Sequence, residues 1–170
     1  MKLPVLGGII ALAVVLVDQI VKAAVLMHFA DPEIGARPLG PFLDLTVQLN
    51  RGISFSLFAR DSASGEAALL AVTLAATGLL AWWLVRSQSV LAAVGLGLII
   101  GGALGNAIDR VAHGAVIDYL DLHAFGRHFF VFNVADAAIN VGVALLIFDL
   151  LLVPRAPKGR SQGSPPQRAS

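Results

Sequence analysis

The chain has 170 residues, of which 57% are hydrophobic and 14% are charged, against about 25% charged residues in a typical soluble domain. This composition excludes a disordered chain and argues against a soluble globular one. Twelve Lys and Arg residues and eleven Asp and Glu residues give a net charge of +1, which offers no basic field for nucleic acid. The absence of cysteine excludes disulfides, thiolate metal sites and cysteine nucleophiles.

Four long apolar stretches predict helices that cross a membrane. They cover residues 3–26, 67–85, 90–108 and 131–153. A helix of 19 residues is about 28 Å long, which is close to the thickness of the hydrocarbon core of a bilayer. The predicted fold is therefore an all-α integral membrane protein with four transmembrane helices.

Basic residues that flank these stretches predict their orientation. Lys2 precedes the first stretch, Arg86 lies in the short turn 86–89, and four basic residues follow the last stretch. Because Lys and Arg favour the cytosolic side, both termini and the short turn are expected in the cytosol, and the two longer connections outside it. Residues 154–170 are rich in Pro, Gly, Ser and basic residues, which predicts a disordered basic cytosolic tail.

The two longer connections carry β patterns. Apolar and polar residues alternate over residues 43–50, as in a strand with one wet face. The β-branched and aromatic stretch 115–122 predicts a second, shorter strand. We expect a small extracytoplasmic subdomain of sheet and loops at about residues 40–60 and 113–130, resting on the bilayer surface. It belongs to a transmembrane domain over residues 1–153.

Polar residues interrupt three of the four predicted spans, always near the outer end. Charged and amide side chains inside a membrane are costly and mark functional sites by default. The spacing places each group on one helix face, so the three groups are expected to face one another rather than lipid. They are Asp18 with Lys22, then Asn106, Asp109 and Arg110, and finally Asn133, Asp136 and Asn140.

Some of these residues have a structural interpretation. Asp18 and Lys22, four residues apart, can neutralise each other as an ion pair, and Asp109 with Arg110 is expected to form a charge clamp. Three glycines near the second polar group are expected to let helices approach closely. They are Gly101, Gly102 and Gly105.

Three histidines, His113, His123 and His128, lie in the second outer connection. Their spacings of ten and five residues match no pair of helical metal ligands. We interpret them as interfacial loop residues, and we expect no metal site.

Asp118 and Asp136 fit a structural role less well. Neither has a basic neighbour at helical spacing. Asp118 lies in an apolar β-like stretch before the last span, and Asp136 lies at the start of that span between Ala135 and Ala137. Two carboxyl groups in a partly desolvated site can share one proton. The ionised one can then activate water while the protonated one donates to a carbonyl oxygen. From the residues alone, amide hydrolysis stands beside two alternatives, a proton- or ion-coupled carrier and a structural subunit.

Five blocks, taken in chain order, resemble the bacterial lipoprotein signal peptidase family, signal peptidase II. The blocks are Asp18-x-x-x-Lys22, Asn50-Arg51-Gly52-Ile53-Ser54-Phe55, GGALGNAIDR at residues 101–110, Val116-Ile117-Asp118-Tyr119 and Phe132-Asn133-Val134-Ala135-Asp136. The resemblance covers about residues 10–150. It implies an intramembrane aspartic endopeptidase that removes the signal peptide from diacylglyceryl-modified prolipoproteins, cutting on the N-terminal side of the lipidated Cys.

The resemblance also implies roles for individual residues. Asp118 and Asp136 match the two catalytic aspartates of the family. Six residues match positions that bind substrate or belong to the polar network of the site: Asn50, Gly52, Asn106, Arg110, Asn133 and Ala135. Three match structural polar positions: Asp18, Lys22 and Asp109. The chain departs from the family pattern at Ile53 and Ser54, where the family usually has two small residues.

Partners and location follow from the same resemblance. The expected partners are lipid-modified prolipoprotein substrates and membrane lipid, with no nucleic acid and no cofactor. The protein is expected to act as a monomer in the bacterial cytoplasmic (inner) membrane, with its active site near the outer leaflet.

Overall fold

The computed structural model describes residues 1–30, 35–52 and 63–152. Within these ranges, two pairs of strands separate the helices, one pair after the first helix and one pair after the third. The helices are α1 (Leu3–His28), α2 (Ala63–Arg86), α3 (Val90–His113) and α4 (Val134–Leu152). The strands are β1 (Arg37–Pro38), β2 (Leu43–Asn50), β3 (Val116–Ala124) and β4 (Arg127–Phe132).

The four helices are long and apolar enough to cross a membrane, which confirms the predicted spans. The crossing segments are Leu3–His28, Ala67–Arg86, Val90–His113 and Val134–Leu151. Helix α3 is central, since it packs against each of the other three. Its span is 61% buried within the protein, whereas 22% or less of each other span is buried. Polar residues on α3 therefore lie within reach of its neighbours.

Glycines allow this close packing around α3. A Cβ at Gly97 would lie 2.6 Å from the backbone oxygen of Gly7, and one at Gly101 would lie 2.6 Å from that of Ala11. Both contacts belong to α1, and both distances are shorter than real Cβ atoms show. One turn further along, a Cβ at Gly105 would lie 2.6 Å from the Oδ2 atom of Asp18. The glycine stripe thus brings α1 and its polar residues directly against α3.

Helix α3 extends beyond its predicted end at residue 108. It begins at a cap in which the hydroxyl of Ser89 accepts the Ala92 backbone N–H at 3.3 Å. It ends at Gly114, whose φ of 66° is left-handed. Asp109 and Arg110 are therefore helical residues, because the helix stops only where the glycine permits the turn.

Helix α4 begins at Val134, three residues after the predicted start of the last span at residue 131. Val131 and Phe132 belong instead to strand β4, which the sequence reasoning missed. The apolar run of β4 continues into the helix, so hydropathy alone does not separate the two elements. The helix begins where the side chain of Asn133 accepts the backbone N–H of Asp136.

The four strands form one antiparallel sheet in the order β1-β2-β3-β4. The predicted strand 43–50 is confirmed at its full length, and the predicted strand 115–122 lies one residue later at its start and two at its end. Asp118 pairs with Gln48 on one side, and Leu120 pairs with Phe132 on the other. The sheet therefore carries Asp118 beside the start of α4.

The interpretation of the three histidines as loop residues was wrong. His113 is the last residue of α3, and His123 and His128 lie opposite each other on β3 and β4. The imidazole of His123 lies 3.1 Å from a carboxylate oxygen of Asp44, and that of His128 lies 2.6 Å from one of Asp121. Their strands are antiparallel neighbours, so residues distant in sequence meet on one face.

Three predictions concern residues outside the described ranges. The tail 154–170, the departure at Ile53 and Ser54, and the loop part of the outer subdomain after residue 52 lie there. The division of the chain into a transmembrane domain and a tail stays a prediction.

Candidate active site

A connected network of polar side chains lies where α1, α3, β3 and the start of α4 meet. Four of its members are buried, with side chains only 0 to 2% exposed: Asp18, Asp109, Asp118 and Asn133. Asn50 at the end of β2 is exposed and Asp136 is half-buried. The network is therefore walled by apolar helices on one side and open towards β2 on the other.

Lys22 is the centre of the inner half of the network. Its ammonium lies 2.8 Å from Asp18 Oδ2 and 2.6 Å from Asp109 Oδ2, and it donates to Asn106 Oδ1 at 3.1 Å. The predicted Asp18–Lys22 ion pair is confirmed. Asp109 forms its ion pair with Lys22 across two helices and not with Arg110, because adjacent helical residues do not share a face.

The two acids of this inner half are also tied to backbone groups. Asp18 Oδ1 accepts the backbone N–H of Ala135 at 3.0 Å, and Asp109 Oδ2 accepts that of Ile117 at 3.1 Å. A buried charge is tolerable only when it is paired and hydrogen-bonded in this way. These bonds fasten the starts of α4 and β3 to the α1–α3 pair.

Asp118 receives amide donors on both of its carboxylate oxygens. Asn50 Nδ2 donates to Oδ2 at 3.0 Å, and Asn133 Nδ2 donates to Oδ1 at 2.8 Å. Asp118 reaches these partners because β3 passes between β2 and the start of α4. Its carboxyl thus lies between two neutral amides.

Asp136 also receives amide donors on both oxygens. Asn106 Nδ2 donates to Oδ1 at 2.8 Å, and the Asn133 backbone N–H donates to Oδ2 at 3.2 Å. In return, Asn133 Oδ1 accepts the Asp136 backbone N–H at 2.9 Å. This reciprocal cap, with the acid at the third helical residue, stabilises the start of α4. Asn133 thereby contacts both aspartates.

The orientation of each amide follows from its other partner. The backbone N–H of Gly52 donates to Asn50 Oδ1 at 3.0 Å, and Lys22 donates to Asn106 Oδ1. Since an ammonium and a backbone N–H only donate, the amide oxygens must face them. The amide nitrogens then face the carboxyl groups of Asp118 and Asp136. Gly52 holds this turn with a φ of 77°, in the left-handed region that favours glycine.

Burial raises the pKa of the Asp118 carboxyl above its ordinary value of 3.8. The hydrogen bond from Asn50 lowers this pKa, and the negative charge of Asp136 raises it. A second negative charge on Asp136 thus disfavours the ionised form of Asp118.

The structure brings most of the predicted site residues together. Asn106 and Asn133 link the two aspartates to Lys22, and Ala135 enters through its backbone N–H. Arg110 lies at the edge, where its guanidinium donates to the Asn106 backbone oxygen at 3.3 Å. Asn140 does not belong to the site, because it is exposed one turn beyond Asp136.

Two members of the network were missed by the sequence reasoning. Gln19 donates to Asp109 Oδ1 at 3.0 Å and to the backbone oxygen of Gly105 at 3.2 Å. Tyr119, buried next to Asp118, accepts the Val134 backbone N–H with its hydroxyl at 3.3 Å. Gln19 interrupts an apolar run, which was an available signal. An aromatic residue in a strand gives no such signal.

The site offers acid–base chemistry through side chains alone. Within the described ranges, no three His, Asp or Glu side chains are arranged to hold a metal ion. One carboxyl can accept a proton while the other donates one, with amide donors beside both.

Comparisons with known proteins identify the family of the chain. Residues 10–152 match the family model described as Signal peptidase (SPase) II. A lipoprotein signal peptidase of Methylobacterium radiotolerans is 45% identical over 168 residues, covering 97% of this chain and 95% of that protein. One of Beijerinckia indica is 51% identical over 147 residues, covering 85% and 87%.

A solved structure, described as a bacterial membrane enzyme at 1.9 Å resolution, has the same fold. Its TM-score is 0.73 at 29% identity, covering 87% of this chain and 94% of that one. The family match spans both aspartates and the whole polar network. The chain belongs to the signal peptidase II family, a family of membrane peptidases.

Proposed function

We propose that this protein is an aspartic endopeptidase of the membrane, with Asp118 and Asp136 as its catalytic pair, acting on lipid-modified prolipoproteins. One observation carries the proposal. Asn133 contacts both carboxyl groups, and the four amide N–H groups described above reach all four of their oxygens. Membership of a peptidase family favours this activity over the carrier and the structural subunit.

Asp118 is the member of the pair that carries the shared proton at rest. Burial and the nearby Asp136 both raise its pKa. Asp136 lies in the first turn of α4, where the partial positive charge of the helix start favours an anion. The two positions thus divide the roles of acid and base between otherwise identical side chains.

The first step forms a tetrahedral diol. Asp136 takes a proton from water, and the oxygen of that water bonds to the scissile carbonyl carbon. Asp118 gives its proton to the carbonyl oxygen, so neither charge nor atoms are lost. The neighbouring amide N–H groups of Asn50 and Asn106 hold the two carboxylates in place as their charges exchange.

The second step breaks the C–N bond. Asp118 takes a proton from one diol hydroxyl, and the diol carbon becomes the new C-terminal carboxyl group of the signal peptide. Asp136 gives its proton to the leaving amine. Both aspartates return to their starting states. The new amino group belongs to the lipid-bearing Cys of the substrate, because the family resemblance puts the cut on the N-terminal side of that residue.

The site's place in the membrane suits this substrate. We place the protein in a bacterial inner membrane with both termini on the cytosolic side. The polar network then lies near the outer leaflet, where a lipid-anchored Cys is held. The exposed strand end at Asn50 gives an extended peptide a place to pair. The protein acts as a monomer, since one chain supplies every residue of the pair.

The test is precursor processing by purified protein in lipid nanodiscs. The substrates are a prolipoprotein with diacylglyceryl-Cys and the same chain without lipid, and mass spectrometry identifies the new N-terminus. The expected product begins at the lipidated Cys, with Asp118→Asn and Asp136→Asn inactive. A folded variant that still cuts at the normal rate would remove that aspartate from the mechanism. A product that begins elsewhere would overturn the assigned bond.

A further inference from the structure

We propose that the free end of the sheet is a lipid-binding surface that inserts into the headgroup region of an anionic phospholipid bilayer. This surface, the sheet tip, consists of the turn between β1 and β2 and the turn between β3 and β4 with the adjoining part of β4. Its apolar members are Leu39, Phe42, Phe125, Phe129 and Phe130. The proposal goes beyond the hydrolysis and does not depend on the catalytic pair.

The sheet tip exposes an unusual amount of apolar surface. Phe125 is 100% exposed, and each of the other four apolar members is more than half exposed. Single exposed apolar residues are common, but a contiguous group of large ones marks a surface that binds something. Four of the chain's nine phenylalanines lie in this group.

The topology brings the two turns together. Leu43 pairs with Leu122 where β2 begins, and Ala124 pairs with Arg127 where β3 turns into β4. The backbone oxygen of Phe42 accepts the His123 N–H at 3.0 Å, which joins the first turn to the second hairpin. The opposite end of the sheet, where Asn50 pairs with Val116, carries the active site.

The backbone holds Phe125 outward at a conformational cost. Phe125 and Gly126 form the two-residue turn between β3 and β4, with φ values of 52° and 73°. Both positions of such a turn require positive φ, which favours residues such as Asn and Gly. A bulky residue there is a conformational outlier. The most exposed apolar side chain of the tip is therefore one that the described part of the chain leaves unburied.

Charge around the tip fits anionic phospholipid. The exposed residues Arg37 and Arg127 lie on β1 and at the start of β4. Among the described residues at this end, the carboxylates of Asp44 and Asp121 face the imidazoles of His123 and His128. Aromatic rings flanked by basic side chains are typical of membrane interfaces, where rings enter the headgroup layer and guanidinium groups meet phosphate.

The sheet is joined to the membrane-spanning helices by short connections. Only two residues separate α3 from β3, and one separates β4 from α4, so the sheet is attached directly to the ends of two spans. The nine residues of β3 extend about 30 Å from that attachment. A sheet lying along the surface brings the tip onto lipid, whereas an upright sheet would leave its phenylalanines in water.

The absence of cysteine provides a direct experiment. A single nitroxide label is placed at Phe125→Cys in nanodiscs that contain phosphatidylglycerol and phosphatidylethanolamine. Collisions with oxygen report a lipid environment, and collisions with a water-soluble nickel chelate report an aqueous one. Leu79→Cys, 65% exposed on α2, is the lipid control, and Gln88→Cys, in the exposed turn before α3, is the aqueous control.

We expect the oxygen-to-nickel accessibility ratio at position 125 to be at least several-fold higher than at Gln88→Cys and to approach that at Leu79→Cys. Replacing phosphatidylglycerol by phosphatidylcholine, or Arg127 by Ala, should lower the ratio. An aqueous value at position 125 in both lipids would overturn the proposal. The proposal would also be overturned if position 125 is aqueous in both lipids and its collisions with the nickel chelate decrease only when a prolipoprotein is added. That result would indicate a substrate-binding surface.

Discussion

The two acid clusters of this protein use the same side chain in opposite ways. Asp18 and Asp109 bind the ammonium of Lys22 at 2.8 and 2.6 Å and are fully buried between α1 and α3. Asp118 and Asp136 accept neutral amide N–H groups at the junction of sheet and helix. Only the second cluster opens past the exposed Asn50.

The two pairs of carboxyl groups differ in what they contact. Asp18 and Asp109 share one buried ammonium and so fasten α1 to α3. A carboxyl bound by amides beside a second carboxyl can gain or lose a proton at a modest free-energy cost. Asn106 joins the clusters, since it accepts from Lys22 and donates to Asp136.

The largest contrast is expected from Asp→Asn substitutions in the two clusters. Asp118→Asn and Asp136→Asn should lower kcat by about 1,000-fold, within the range for a lost general acid or base, while the protein stays folded. Asp18→Asn should instead impair folding. Processing rates, normalised to folded protein by gel filtration, measure both. Equal effects on folding in the two clusters would contradict the division of roles.

A substitution of Lys22 tests the structural role of Asp18 and Asp109 by removing their shared cation. Lys22→Met leaves the carboxylates of Asp18 and Asp109 without their ion-pair partner, which should lower the free energy of unfolding by about 3–5 kcal/mol. The double variant Lys22→Met, Asp109→Asn should recover part of that loss, because one buried charge is removed. The midpoint of denaturant unfolding measures the change, and an unchanged midpoint for Lys22→Met would refute the role.

A smaller effect is expected in the pH dependence of catalysis. Asn50→Ala removes a hydrogen bond that lowers the pKa of Asp118, so that pKa should rise further. In the proposed mechanism Asp118 acts in its protonated form, so kcat/KM falls on the alkaline side as this proton leaves. The alkaline limb should therefore move to higher pH, with the optimum rate lowered about 3- to 10-fold.

The matched control for this shift is Asn140→Ala. Asn140 lies on the same helix as Asp136 but is exposed and outside the network, so its removal should leave both limbs in place. A shift to lower pH in Asn50→Ala would contradict the proposed protonation of Asp118.

The smallest effect is expected at the opposite ends of the helices. Ser89 caps α3 and donates to Asp149 of α4. Ser89→Ala should lower the free energy of unfolding by about 1 kcal/mol, as the loss of an N-cap does, and leave the processing rate unchanged. A changed rate would show that this end is coupled to the active site.

Much of the site could be predicted because residues that are costly in a membrane stand out. Asp18, Lys22 and Asn106 interrupt apolar stretches near the outer ends of predicted spans, which indicated their depth in the membrane. Their helical spacing indicated which residues share a helix face. Asp118 was found through its apolar β context and the family blocks. Gln19 and Tyr119 were missed, because their importance comes from partners 90 and 15 residues away.

The sequence by itself determined the four spans, the strand 43–50 and the family. Hydropathy, the alternation of apolar and polar residues and the order of motifs can be read along the chain, because they do not depend on which distant residues meet. The tertiary structure decided that Lys22 binds Asp109 and not only Asp18, that 131–132 are strand and not helix, and that Asn133 touches both aspartates. The strand at 131–132 forms because it pairs with β3. The contacts of Lys22 with Asp109 form because the glycines of α3 let α1 approach closely, since ion pairs and hydrogen bonds need short distances.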